Sequence, residues 1–261
     1  MRKIIGLLLA ISLFCSASWA NNAVQVPILT YHNFDPSVPG SMTEDTTRFE
    51  EQLKWIKDNG YTVIPLKQLV SYLEGKTASV PEKSVVITVD DGKESVYKYM
   101  YPIIKKYNYP VTLFIYPSAI SNASYAMTWD QLRELQKSGL FDIQGHTYWH
   151  PKFKQDKKKM LPADYQKDID TQLVKSKKVL EEKMGTQVTL LAWPFGIYDT
   201  ELEQAAQKAG YEMAFSIDGR SASKSENAMS QPRYLIVESE DMKTFQAIIE
   251  NRAQGLKKSE G

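Results

Sequence analysis

The feature that most constrains this chain is an alternation. Short apolar runs, several rich in β-branched residues, are each followed by an amphipathic stretch, again and again along the sequence. The runs predict strands at 26–31, 61–64, 84–89, 110–116, 140–143, 188–192, 211–216 and 234–237. Strands that alternate with helices pair in parallel through crossover connections. In one chain of 261 residues, that pattern predicts a single α/β domain. Its expected form is a (β/α) barrel of seven to eight strands, irregular or incomplete, with a doubly wound open sheet as the alternative.

The intervening stretches carry helix signals. Thr47 is a candidate cap for a helix whose Phe49, Leu53 and Ile56 share a face and which Gly60 stops. Further helices are predicted at 66–73, 95–107, 200–208 and 241–251, and from Thr128 to the stop at Gly139. The longest, over 163–184, presents Tyr165, Ile169, Leu173, Leu180 and Met184 as one stripe before Gly185.

The first twenty residues read differently. Arg2 and Lys3 precede an apolar run over 4–16 that is short for a bilayer span, and Ser18-Trp19-Ala20 offers small residues at the positions an export peptidase reads. This predicts a signal peptide over 1–20 cut after Ala20, a domain over 21–253, a flexible tail over 254–261, and a periplasmic, secreted or cell-surface location. A retained anchor is the alternative; Cys15 raises lipid attachment, against which the bulky Phe14 argues. Cys15 is the sole cysteine, so the cut chain holds neither a disulfide nor a catalytic thiol. Without Arg2 and Lys3 it carries 30 basic against 31 acidic residues. That balance favours neither nucleic acid nor stable membrane insertion as a partner. The local basic run at Lys152, Lys154 and Lys157 to Lys159 reads as a solvated face or loop. The oligomeric state is open.

In either candidate fold, chemistry belongs at the carboxyl ends of the strands. The three histidines, His32, His146 and His150, all follow predicted strands, as does the pair Asp90-Asp91. Taken alone, Asp90-Asp91-Gly92 reads first as an Asp-Gly turn, although two adjacent carboxylates at a barrel mouth also suit a cation. The spacing of His146 and His150 places both imidazoles on one side of a helical turn, where they can grip one metal. Imidazole suits zinc and the neighbouring ions nickel, cobalt and iron. Two histidines and one carboxylate leave open coordination positions, as a hydrolytic site requires. Trp193-Pro194-Phe195-Gly196 brings aromatic faces near the site, yet on its own it reads as core packing and a turn.

Together these segments resemble the polysaccharide deacetylase family, the NodB-homology domain of carbohydrate esterase family 4. Thr88-Val89-Asp90-Asp91-Gly92 matches its Thr-Phe-Asp-Asp-Gly motif with one change, and His146 to His150 matches its His-Ser/Thr-x-x-His motif. Trp193 to Gly196 matches the back of its Arg-x-Pro-Tyr/Phe-Gly motif, the order agrees, and the likeness spans residues 26–240. The resemblance implies a metal-dependent hydrolase that removes acetyl groups from N-acetylated polysaccharide. It implies Asp91, His146 and His150 as metal ligands, usually to zinc, and Asp90 as the general base. The metal and a backbone N–H near Phe195 or Gly196 would stabilise the oxyanion, and Trp193 to Gly196 would border the substrate.

Two departures matter. Ala192 stands where the motif has arginine, and no histidine follows His150 to serve as the family's late general acid. In a closed barrel the first and last strands are neighbours, so His32, at the end of the first, can reach that place. In this the chain resembles the circularly permuted poly-N-acetylglucosamine deacetylase subgroup, where an early Tyr-His, here Tyr31-His32, fills that place. Arg233, before the last strand, is the candidate to orient Asp90. Two other readings remain: a non-catalytic carbohydrate-binding protein on a decayed deacetylase fold, and a non-haem iron oxygenase.

Overall fold

Strand β5 (Ser84–Asp90) is buried along its whole length. A strand covered on both faces belongs in the middle of a parallel sheet, and its β-branched residues suit that place. The computed structural model describes residues 24–252; the predicted signal peptide and tail lie outside them. In chain order the strands are β1 (Ile28–Tyr31), β2 (Asn33–Asp35), β3 (Thr43–Asp45), β4 (Thr62–Val63), β5, β6 (Val111–Ile115), β7 (Phe141–Gly145), β8 (Leu190–Ala192), β9 (Met213–Phe215) and β10 (Tyr234–Leu235). The main sheet has eight parallel strands in the order β10-β1-β5-β6-β7-β8-β9, with β4 added on β5. β2 and β3 form a separate small pair.

The sheet curls toward closure. Gln231, three residues before β10, donates its N–H to Ala214 O at 2.9 Å and accepts from Ser216 N at 2.9 Å. Among the described residues, this bridge is the pairing across the seam between β9 and the segment entering β10. The result is the irregular barrel that the alternation predicts, with β10 beside β1 in register Leu29 to Tyr234.

Nine helices among the described residues surround it: α1 (Thr46–Asp58), α2 (Leu66–Leu73), α3 (Tyr101–Tyr107), α4 (Trp129–Lys137), α5 (Phe153–Lys159), α6 (Pro162–Asp170), α7 (Ser176–Met184), α8 (Thr200–Lys208) and α9 (Met242–Ile249). Two predicted details are corrected. Asp45, not Thr47, caps α1, because its carboxylate accepts from Thr47 N at 2.8 Å and Arg48 N at 3.0 Å. The long stripe over 163–184 is not one α-helix: a π-turn, Thr171–Lys175, joins α6 to α7. Thr128 caps α4 with a full capping box, as its sequence predicts.

Alternation along β5 sorts its side chains. Val85, Ile87 and Val89 pack into the larger cluster with α-helical residues such as Leu53, Ile104 and Leu132. Val86 faces a second cluster that includes Ile28, Phe114, Leu190 and Phe215, and it belongs to the inner face of the barrel. A period of two then puts Thr88 and Asp90 on that inner face as well. Thr88 Oγ1 lies 3.1 Å from Thr30 Oγ1 and donates to Leu29 O at 2.9 Å, so the polar layer is satisfied from within.

Behind β1 lies a buried polar cluster. Tyr31 donates its hydroxyl to Gln52 Oε1 at 2.7 Å, and Gln52 Nε2 donates to Glu44 Oε1 at 3.1 Å. Burial pushes the Glu44 carboxyl up to about 7, although Arg48, 3.2 Å away, pulls it down. An acid whose folded value is raised holds its proton longer in the native state, so its stabilising effect is lost as pH rises. Glu44→Gln removes that penalty. In urea denaturation the variant should match the wild type at about pH 4 and surpass it at about pH 8. Equal midpoints at both pH values would remove Glu44 as the cause.

Candidate functional site

Asp90 and Arg233 come from the central strand and from the residue entering β10, and they meet inside the barrel. Arg233 donates to Asp90 Oδ1 at 2.9 Å and to Oδ2 at 2.8 Å, a two-pronged contact. Its Nε donates to Ser216 O at 3.0 Å, and its guanidinium sits over the Phe114 ring at 5.1 Å. Arg233 is wholly buried and Asp90 nearly so. Burial opposes ionisation of Asp90, but the guanidinium outweighs it and holds the carboxyl far below the usual carboxylate range.

The next residue turns away. Asp91 and Gly92 both adopt left-handed backbone, at φ of 76° and 77°. A Cβ on Gly92 would lie 2.9 Å from Ile115 Cδ1, so glycine is required there on two counts. The turn points Asp91 at the loop after β7. His146 Nε2 and His150 Nε2 each lie 3.7 Å from Asp91 Oδ1, and the three ligand atoms fall within 4.8 Å of one another.

The two histidines do not converge as the sequence spacing predicts. Residues 146–150 form no helical turn. Thr147 and His150 take left-handed backbone at φ of 66° and 60°, and this bend brings the rings to 4.7 Å. Side chains from the π-turn and α7 hold the bend. Gln172 Oε1 accepts from Tyr148 N at 3.0 Å and Trp149 N at 3.2 Å, and Ser176 donates to Thr147 O at 2.7 Å. A π-turn that re-aims side chains toward a site is a recurring use of that irregularity.

These residues fit a divalent cation. Asp91 Oδ1 is buried without a hydrogen-bond partner, equidistant from two imidazole nitrogens. Burial pulls His146 and His150 down to about 4, so both are neutral near pH 7 and free to ligate. His146 Nδ1 lies 2.8 Å from Ala192 O. A donated N–H there fixes the tautomer that leaves the Nε2 lone pair facing Asp91. Ala192, whose side chain departs from the sequence motif, thus enters the site through its carbonyl.

His32 follows β1 and borders the same cleft as Asp90, Asp91 and His150, a space of about 680 Å³. Its Nδ1 is buried without a partner, and burial lowers the ring below its ordinary value against the pull of Asp90 and Asp91. Of the aromatic segment, Trp193, Phe195 and Gly196 border the cleft, whereas Pro194 is buried away from it. Trp193 is itself almost entirely buried, its indole N–H donating to Met229 O at 2.8 Å, so its role is packing as much as lining. Phe195 is half exposed, left-handed at φ 56°, and edge-on to His150 at 4.5 Å. The Gly196 N–H is committed to Trp193 O at 2.9 Å.

Sequence reasoning missed five contributors. Tyr116, at the end of β6, lies 5.6 Å from the His150 ring and shares a 2.9 Å hydroxyl contact with Tyr125. Its strand-end position was the available signal. Lys93, Tyr125, Met42 and Thr43 form part of the wall of the cleft. Nothing local in the sequence marks that wall.

Comparisons with known proteins give the chain its family and fold. The family described as "Polysaccharide deacetylase" matches residues 77–214. The Bacillus subtilis protein YxkH is 30% identical over 228 residues, 87% of this chain and 77% of that one. The poly-beta-1,6-N-acetyl-D-glucosamine N-deacetylase of Staphylococcus aureus (strain MRSA252) is 30% identical over 195 residues, and the match covers 73% of this chain and 66% of that relative's length. Among solved structures, the Streptococcus pyogenes deacetylase PplD in complex with acetate superposes with a TM-score of 0.77 at 24% identity, over 87% of this chain and 99% of that one. His32 and Arg233 both fall outside the matched family segment, yet the fold brings them to it.

The buried pair carries a stability prediction. Arg233→Met leaves the Asp90 charge uncompensated and should destabilise the metal-free protein by about 3–5 kcal/mol in urea denaturation near pH 7. Adding Asp90→Asn should recover much of that loss. Additive losses in the double variant would show the two side chains to be uncoupled.

Proposed function

This chain belongs to the polysaccharide deacetylase family, and from that premise we propose that it is an exported, metal-dependent hydrolase. Its substrate in this reading is poly-N-acetylglucosamine or a related N-acetylglucosamine polymer, and the reaction removes acetyl groups. The observation that carries the reading is the orphaned, buried Asp91 Oδ1 set between two neutral imidazoles, with a second carboxylate locked beside it. Support for the polymer is the name of the staphylococcal relative. Among the described residues no helix is long and apolar enough to cross a membrane. Export rests on residues 1–20.

Asp91, His146 and His150 would hold the cation, zinc in this reading. When bound, it supplies Lewis acidity that makes water more acidic and polarises the acetyl carbonyl. Asp90 accepts the proton of the attacking water. Each of its oxygens spends one lone pair on Arg233 and keeps another for that water. Arg233 acts through Asp90, fixing its direction and keeping it ionised. His32 passes to the departing sugar nitrogen the proton that Asp90 took from the water, so water and acetamide become acetate and amine and both side chains return to their starting states. With the Gly196 N–H already committed, the Phe195 N–H is the backbone donor for the developing oxyanion. Trp193, Phe195 and Gly196 border the sugar.

Acetate release from β-1,6-linked N-acetylglucosamine oligomers, with chitin oligomers alongside, tests the reading. Asp90→Asn should lose about 10²–10⁴-fold in turnover while still binding one cation. His146→Ala should lose both turnover and the cation, by metal analysis and by loss of zinc-dependent thermal stabilisation. Absence of metal-dependent acetate release from any N-acetylglucosamine oligomer would overturn the proposal.

A further inference from the structure

A second pocket lies beside the cleft and takes no part in the proposed chemistry. It encloses about 450 Å³ and is bordered by α5, α6 and the start of α8, and by Gly196, which borders the catalytic cleft as well. The two spaces therefore adjoin. Half-exposed Phe195 stands beside Gly196 at the junction, with Lys152 Nζ 5.9 Å from its ring centre.

The lining joins apolar rings to positive charge. Phe153 and Tyr165 pack into the core, Phe153 anchoring α5, and the partly exposed Tyr198 supplies ring surface. Lys154, Lys157 and Lys158 border the pocket against one acid, Asp199. Lys157 is already satisfied, bound to Asp199 at 2.7 Å and Glu201 at 2.9 Å. Lys154 and Lys158 form no ion pair with any described residue, and both are exposed. The Tyr165 hydroxyl is buried without a hydrogen-bond partner, on a residue only 3% exposed. A buried hydroxyl without a partner is destabilising, so it marks a place where a ligand oxygen fits. The basic run along α5 is thus more than a solvated face: two unpaired lysines and a waiting hydroxyl share a pocket of ligand size.

We propose that this pocket is a secondary subsite for a sugar unit bearing an anionic group, a carboxylate or a phosphate, on the same glycan whose acetamide lies in the catalytic cleft. Tyr198 presents ring surface to the sugar's apolar face, the Tyr165 hydroxyl binds a sugar oxygen, and Lys154 and Lys158 face the anion. The continuity of the glycan rests on the deacetylase reading; the anion preference of the pocket rests on its own residues.

Calorimetry on the full protein separates the two. The probes are a neutral N-acetylglucosamine pentamer and the same pentamer carrying a carboxylate or a phosphate on a terminal sugar, tested at either end. The wild type should bind an anionic pentamer about tenfold more tightly than the neutral one at low salt, with the difference shrinking as salt rises. Lys154→Glu/Lys158→Glu, at exposed positions, should abolish that preference and leave acetate release from the neutral pentamer unchanged. Tyr165→Phe should weaken the binding of the anionic pentamers while keeping their salt dependence. Whichever anion binds more tightly identifies the group. Equal affinity for neutral and anionic pentamers in the wild type, or a preference that survives the double reversal, overturns the subsite. Anion-dependent binding without acetate release from any pentamer would instead overturn the deacetylase reading and leave the subsite standing.

Discussion

The contact on which the site depends is the Arg233–Asp90 pair. Taking two charges out of water is costly, and only close, two-pronged geometry with the remaining donors satisfied offsets it. Here Arg233 meets both oxygens of Asp90 and spends its Nε on Ser216 O. Neither side chain can be moved without stranding the other. The pair therefore ties the entry to a two-residue strand at one edge of the sheet to the centre of the fold. β1 lies between β10 and β5. Fixing those two strands also fixes where β1 ends, and that is where His32 begins.

Beside this rigid pair, the candidate cation ligands are carried on strained backbone. Asp91, Thr147 and His150 all occupy left-handed conformations that residues with a Cβ adopt at a penalty. The strain persists because the surroundings over-determine it. Ile115 and Ile120 close around Gly92, and Gln172 and Ser176 hold the histidine loop from behind. The unpartnered Asp91 Oδ1 adds electrostatic tension to the conformational kind. In the proposed reading a bound cation would relieve that tension, and the fold would hold its ligands ready instead of assembling them on binding.

This division explains what the sequence revealed. The barrel was legible because burial on both faces writes itself into runs such as Ser84–Asp90, and the Thr128 cap was legible because capping is local. Asp90, Asp91 and the three histidines were legible because all lie at or just after strand ends. The route by which His146 and His150 converge was not. Spacing of four suggests a helical turn, and only the long-range hold of Gln172 on the loop selects the left-handed alternative. The burial of Arg233 was equally hidden, since a single arginine carries no local mark of its partner 143 positions earlier. Met42 and Thr43 were missed for the same reason: the excursion that holds them reaches the cleft through tertiary folding alone.

The charges around the site sort into three states, and their separation has physical consequences. Asp90 is neutralised as a pair, the His146 and His150 imidazoles are neutral through burial, and Asp91 has no hydrogen-bonded partner at the oxygen facing them. That focuses attraction for a cation on one atom. A lysine reaching Asp91 would compete for it. Lys152, just before α5, is set apart from it by Phe195, whose ring packs against His150 on one side and faces Lys152 on the other. The left-handed backbone at Phe195 is what turns its ring into that position. Gly196 must follow it, because a Cβ there would lie 2.5 Å from Ile217 Cγ1. A four-residue segment that reads in sequence as packing and a turn therefore sets an aromatic ring between His150 and Lys152.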